Sequence, residues 1–194
     1  MGVLELAARR RSVRKFRAGG VTLKDVLRIL EAARQAPSGA NWQPWRFLVV
    51  SDSGLKARIR AAAEEGERRF YERVSGELRE WLQAKGFSPE KPFLEEAPFL
   101  VLVFSQARAP YSVQSTWIAV GYALLAAEEL GLGTLTYTPS DPARVAEAVG
   151  APEGLRLEVI LPIGIPADDK PKEPRLPLSE VCRLNSWDRP CPGG

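Results

Sequence analysis

No histidine occurs in the 194 residues, and cysteine occurs only twice, at Cys182 and Cys191. Without imidazole no Ser-His or Cys-His pair can be assembled, and two cysteines alone do not make a zinc site of usual ligand spacing. Mechanisms that depend on those groups are excluded. Long apolar runs are also missing. The most apolar uncharged stretch, 112–127, falls short of the roughly 20 residues that span a bilayer, and Glu128 and Glu129 close it. It reads as a buried core helix. No G-x-G-x-x-G turn follows a strand-like run, which argues against a Rossmann dinucleotide site, and there is no internal repeat or low-complexity segment.

An excess of one charge is likewise lacking, since 27 basic residues face 24 acidic ones for a net +3. A dedicated nucleic-acid binder concentrates its excess, so no nucleic-acid partner is expected. The first residues bring Glu5 and Arg9 before any long apolar segment, unlike a secretory signal. A cytoplasmic location with no membrane association is therefore expected. In a reducing compartment, two cysteines within a Pro-rich tail are expected to be free thiols. The length and an apolar content of 45% fit one domain spanning 1–194. Pro166, Pro171, Pro174 and Pro177 make 165–194 an extended C-terminal arm.

Hydrophobic periodicity places the elements. Residues 3–11 read as a short first helix that delivers a group of arginines. Thr22 opens a second helix with Asp25 as its capping-box partner, and Leu23, Val26, Leu27 and Leu30 recur on one face. Residues 46–50 and 99–104 are buried strands. Between them, 55–85 is helical in composition and interrupted near Gly76. Its stripe of Phe70, Tyr71, Val74, Leu78, Trp81 and Leu82 suits core or dimer contacts better than a ligand wall. Ser88-Pro89-Glu90 reads as the cap of a short helical turn. The 112–127 helix has Trp117, Val120, Leu124 and Ala127 on one face and Ile118, Tyr122 and Leu125 on another, which implies a partner chain. Gly131 and Gly133 end it. Residues 135–137 form a short strand, Asp141 and Pro142 start a helix to residue 149, and 155–163 is the last clear strand. On pattern alone the order is mixed α/β or α+β.

Two stretches carry chemistry. Residues 36–47, A-P-S-G-A-N-W-Q-P-W-R-F, set the hydroxyl and amides of Ser38, Asn41 and Gln43 among turn-forming Pro37, Gly39 and Pro44. Such a loop is either a polar connector or a surface that hydrogen-bonds something planar and polar. Residues 10–16, R-R-S-V-R-K-F, form a basic run that suits a phosphate, a nucleic-acid patch or simply a solvated face.

Taken together and in this order, the two stretches resemble the FMN-dependent nitroreductase family. Y-A-L-L-A-A-E-E-L-G-L-G-T at 122–134 is similar to that family's central helix and following turn, and L-P-I-G-I-P-A-D-D-K-P-K-E-P-R-L-P-L at 161–178 to its last core strand and basic segment. The resemblance implies an α+β fold with a central mixed, largely antiparallel sheet flanked by helices, an intertwined homodimer, and FMN at the interface. It implies that Arg10, Arg11, Ser12 and Arg14 contact the FMN phosphate, ribityl chain and pyrimidine edge. Pro37, Ser38, Asn41 and Gln43 would approach from the other chain, Lys172 and Arg175 would complete the phosphate site, and Thr136, Tyr137, Thr138 and Pro139 would lie against the ring. No protein acid, base or metal is demanded, because the flavin carries the chemistry. The implied activity is hydride transfer from NADH or NADPH to a small-molecule acceptor, a nitroaromatic, quinone or similar conjugated compound, by a ping-pong mechanism. Specialised members that dehalogenate aromatics or break down flavin, and a non-enzymatic anion or nucleic-acid binding protein, remain as alternatives.

Overall fold

A computed structural model describes residues 2–191. In chain order it contains α1 (Val3–Arg9), β1 (Phe16–Arg17), α2 (Leu23–Ala33), β2 (Trp45–Val50), α3 (Ser53–Arg73), α4 (Gly76–Ala84), α5 (Phe93–Glu96), β3 (Phe99–Gln106), α6 (Ser112–Glu129), β4 (Gly133–Thr134), α7 (Pro142–Ala148), β5 (Leu155–Pro166) and α8 (Leu178–Val181). The strands form one sheet in the order β1-β5-β3-β2, with β4 also on β5. All of these pairings are antiparallel, and the single bridge Ser12↔Thr134 supplies a parallel contact.

Side chains alternate across a strand, so β3 feeds two cores. Leu100, Leu102 and Phe104 join Ile59, Ala63, Phe93 and Val145 under α3, α5 and α7. Val101 and Val103 join Val26, Ile29, Val120 and Ala123 under α2 and α6. On β5 the alternation is broken at Glu158, where Val103 faces Val159 but Phe104 faces Leu157. This bulge leaves a glutamate in the interior. Its carboxylate accepts hydrogen bonds from Ser105 Oγ at 2.5 Å, Arg156 Nε at 2.8 Å and Trp117 Nε1 at 3.3 Å.

The caps follow their sequence signals. Thr22 and Asp25 form the reciprocal box at the start of α2, and Asp141 accepts from Arg144 N with Pro142 in the first turn of α7. At Gly66 a Cβ would lie 2.8 Å from Asp141 Cβ, so only glycine lets α3 cross this closely over the start of α7.

Other expectations need correction. The first helix stops at Arg9, because Arg10 turns to extended backbone. The helical turn after 88–90 begins instead behind Pro92, with Pro92 rather than Ser88 at its start. The strand expected at 135–137 sits two residues earlier, at Gly133–Thr134, and only a Tyr137↔Ile160 bridge continues it. Within the single chain the 112–127 helix turns its small residues Ser115, Thr116, Ala119 and Ala123 inward, while Trp117, Ile118 and Tyr122 stay exposed, so burial on every side would require a partner chain. The cysteines are not free thiols. A local hairpin, with Arg183 bridged to Pro190, brings the Cα atoms of Cys182 and Cys191 to 5.4 Å and they form a disulfide. Among the described residues no helix is long and apolar enough to cross a membrane.

Candidate functional site

A two-lobed cleft lies where the segment after α1, the α4 region and the C-terminal arm meet. Its basic lobe, about 250 Å³, is lined by Arg10, Arg11, Ser12, Arg14, Lys170, Lys172 and Arg175, with Trp81, Lys85 and Phe87 from the α4 side. Its aromatic lobe, about 550 Å³, is lined by Phe70, Tyr71, Phe93, Thr136, Tyr137 and Thr138 together with Glu67, Glu90 and Lys91. Arg14 and Phe87 line both lobes, and the Arg14 guanidinium lies 5.7 Å from the centre of the Phe87 ring.

In the basic lobe like charges are forced together. Burial and then the neighbouring Arg175 guanidinium push the Arg10 pKa down, and Glu128 offsets them only in part. Such crowding favours an anion, and guanidinium groups match phosphate oxygens. Arg11 differs from its neighbours because its guanidinium is committed to Asp168, through the carboxylate and through the backbone oxygen at 2.5 Å. Asp168 also accepts from the amides of Arg14 at 3.0 Å and Lys15 at 3.2 Å. Burial raises the Asp168 pKa, but Arg11 and these amides outweigh it and hold the carboxyl below its usual range. Asp168 therefore pins the arm to the arginine-rich turn. Lys172 reaches back to Ala7 O at 2.5 Å and Ala8 O at 2.9 Å, at the carbonyl end of α1.

The aromatic lobe has one acid and one cation in contact with each other. Glu67 Oε1 accepts from Tyr137 Oη at 2.8 Å and Ser140 N at 3.2 Å, and Glu67 Oε2 lies 3.8 Å from Lys91 Nζ. Lys91 Nζ sits 5.9 Å from the ring centres of both Tyr71 and Tyr137. Burial lowers the Lys91 pKa against the opposing pull of Glu67 and Glu90. Burial and then Glu67 raise the Tyr137 pKa, so its hydroxyl stays a donor. Tyr71 is raised in the same way. Among the described residues no cluster of acidic or sulfur ligands could hold a metal.

The family model "Nitroreductase family" matches residues 7–165. The chain belongs to the nitroreductase family. It is 54% identical over 183 residues to an iodotyrosine deiodinase of Thermotoga neapolitana, covering 94% of this chain and 97% of that one. An iodotyrosine deiodinase of Haliscomenobacter hydrossis is 42% identical over 170 residues, covering 82% and 77%. The fold superposes with a TM-score of 0.91 on a crystal structure of oxidized iodotyrosine deiodinase bound to FMN and 3-iodo-L-tyrosine, at 51% identity over 96% of this chain and all of that one.

Within this family member the expected site residues separate into three groups. Arg10, Arg11, Ser12, Arg14, Lys172 and Arg175 come together in the basic lobe. Thr136, Tyr137 and Thr138 line the aromatic lobe, with Pro139 buried behind them. Pro37, Ser38, Asn41 and Gln43 line neither lobe. Their loop is fastened to α6 by Gly39 N donating to Ser115 Oγ at 3.2 Å, and closed by Gln43 N donating to Ser38 Oγ at 3.0 Å. Ala40, Asn41 and Gln43 all have positive φ, at 47°, 56° and 48°, conformations that non-glycine residues adopt at a cost. Glu67 and Lys91 escaped the sequence reading, and Tyr71 entered it only in a stripe assigned to core or dimer contacts. The available signal was position: Ile59, Ala63, Gly66 and Glu67 share the buried face of α3, where a charged residue needs a partner.

Proposed function

We propose that the protein is an FMN-dependent reductive dehalogenase acting on an iodotyrosine-type substrate, a phenolic amino acid carrying iodine on its ring. The observation that carries this reading is the pairing of lobes in one cleft: a cationic lobe for a phosphate and, across Arg14, an aromatic lobe that holds both an acid and a cation. A nitroaromatic or quinone has no ammonium or carboxylate to engage Glu67 and Lys91, whereas an amino acid has both. The high identity to iodotyrosine deiodinases supports the same choice within the family.

FMN fits the donor set. Arg10, Arg14, Lys172 and Arg175 would hold its phosphate, Ser12 its polyol, and Thr136 and Thr138 its ring edge. When bound, FMN supplies the electrons for the reaction. The substrate change is a reduction in which the aryl C–I bond breaks, a C–H bond forms, two electrons and one proton are taken up, and iodide leaves. The chain's own part is to bind and orient: Tyr71 and Phe70 pack the phenolic ring, Glu67 receives the ammonium, and Lys91 receives the carboxylate. No side chain has to form a covalent bond.

The reading includes a homodimer, in which Pro37, Ser38, Asn41 and Gln43 complete the partner's cleft. Support comes from exposed apolar side chains: Trp42 in that loop, Trp117, Ile118 and Tyr122 on α6, Leu23 and Leu27 on α2, and Leu176, Leu178 and Val181 on the arm. It also includes a cytoplasmic setting and NADH or NADPH as electron donor. With no dinucleotide fingerprint in the chain, donor and acceptor would take turns in the aromatic lobe, giving ping-pong kinetics.

The test is anaerobic turnover of the purified flavoprotein. Chemically reduced protein mixed with 3-iodo-L-tyrosine should release iodide and L-tyrosine in equal amounts and return oxidised flavin. Rapid reoxidation by nitroaromatics with no iodide released from 3-iodo-L-tyrosine would overturn the assignment.

A further inference from the structure

We propose that Tyr137 is a positioning residue for Glu67, holding one carboxylate oxygen so that the other faces the ammonium of an amino-acid substrate. This rests on the substrate reading above, and it gives Tyr137 a role in the substrate lobe in place of the flavin contact that family resemblance implies.

The phenol is held in one place. Tyr137 exchanges reciprocal backbone hydrogen bonds with Ile160 of β5, at 3.0 and 2.8 Å, and its ring packs edge-on against Phe93 at 5.4 Å between centres. Its hydroxyl then donates to Glu67 Oε1, which also receives the amide of Ser140. That oxygen is satisfied. The other, Oε2, is 3.8 Å from Lys91 Nζ, too far for a hydrogen bond. Lys91 Nζ donates instead to Ser88 O, so acid and cation are neighbours in charge without being closed on each other. Approaching from the lobe, an α-ammonium can engage Glu67 Oε2 and an α-carboxylate Lys91 Nζ, one to each, and the buried charges stay balanced throughout. Remove the Tyr137 hydroxyl and only the weaker Ser140 amide bond still holds Oε1, so the carboxylate can turn onto Lys91. The pair then closes internally, and a zwitterion has to reopen it. A ligand with no ammonium never uses Glu67 and does not sense the change.

The experiment uses the FMN-loaded protein and two probes, 3-iodo-L-tyrosine and 2-iodophenol, with affinity read by titration of flavin fluorescence and by calorimetry. Tyr137→Phe should weaken 3-iodo-L-tyrosine about tenfold, the scale of a hydrogen bond to a charged group. The loss should appear in KM rather than kcat. Affinity for 2-iodophenol and for FMN should not change. Equal weakening of both probes, unchanged 3-iodo-L-tyrosine affinity, or a selective loss of FMN would overturn the inference. A second variant serves should Tyr137→Phe fold poorly: Glu67→Gln keeps the shape and should show the same ammonium-selective loss, and unchanged 3-iodo-L-tyrosine affinity there would also overturn it. The two substitutions combined should cost no more than Glu67→Gln alone, and additive losses would mean that Tyr137 acts elsewhere. Failure of the unaltered protein to bind 3-iodo-L-tyrosine would overturn the proposed function and this inference together, which separates it from the outcomes above.

Discussion

In the basic lobe of the cleft, seven cations from two distant stretches and α4 crowd around a single acid among the described lining residues, Glu173. In the aromatic lobe, by contrast, Glu67 and Lys91 are the buried charges, in contact with each other and with named aromatic groups. The first lobe works by excess, so that any one cation is partly replaceable and the field is open to salt. The second works by matching, so that losing one member leaves another buried without its counter-charge. A general anion binder needs only the first arrangement. An enzyme that reads a zwitterion, as proposed for this chain, needs the second.

Breaking the matched lobe should give the largest effect. Lys91→Met leaves the Glu67 carboxylate, only 8% exposed, without its cation. Removing one partner of a buried pair costs about 3 to 5 kcal/mol. The lower end is expected here, because Tyr137 and Ser140 still donate to Glu67. Urea unfolding should report the loss, together with abolished binding of 3-iodo-L-tyrosine. Wild-type stability in this variant would mean that the pair is solvated and that the contrast between the lobes is wrong.

The crowded lobe should respond differently. Arg10→Ala should weaken FMN by roughly tenfold to a hundredfold, since hydrogen bonds to charged groups are worth about 1.5 to 3 kcal/mol. The cofactor-free protein should not lose stability, because burial and Arg175 both disfavour the Arg10 charge in the folded state. A fall in apoprotein stability with FMN affinity intact would show that Arg10 serves the fold instead.

How much of this was legible in the sequence follows the same division. The basic lobe is assembled from R-R-S-V-R-K-F, visible as a charge run, and the segment around Lys172 and Arg175, which the family resemblance pointed to. The caps at Thr22 and Asp141 are equally local, and both stand in the structure. Glu67 and Lys91 lie on different elements, joined only when α3 packs against α5 and the 136–140 turn folds over them. No spacing rule connects a residue late in one helix to a residue before another. The stripe of Phe70 and Tyr71 was read as core or dimer surface because periodicity reports a face without saying what lies opposite. The two-residue strands β1 and β4 were hidden for a related reason: they exist by pairing with β5 and carry too few residues to alternate. The disulfide also depends on a tertiary event, the Arg183↔Pro190 bridge.

A smaller effect should follow from Lys172→Ala. Its ammonium is hydrogen-bonded to the last turn of α1, so it supplies charge to the lobe while its geometry serves the helix end. With several other cations in place, FMN affinity should fall only about threefold, the scale of an exposed ion pair. Raising the salt concentration should shrink the difference from wild type. A loss as large as that of Arg10→Ala, insensitive to salt, would show that the lobe too works by individual contacts.

The smallest effect is expected at Asp168, and its size depends on pH. The group sits at the edge of the basic lobe but behaves like a member of the matched one, with Arg11 and two amides as partners. Its carboxyl is held below the ordinary aspartate value in the folded state, so the ionised form favours folding. The contribution is present above the unfolded pKa of about 3.9 and is lost as pH falls through the lower folded value. Asp168→Asn should therefore be slightly less stable than wild type at pH 7, with the gap closing as pH drops below about 4. Urea midpoints from pH 7 to pH 3 measure this. A gap that stays constant over that range would assign the loss to packing, and one that widens toward acid would mean that the Arg11 pair does not govern Asp168. The closing gap would instead show matched pairing extending into the crowded lobe, with Arg11 fastening the arm and Arg10, Arg14 and Arg175 left to meet the anion.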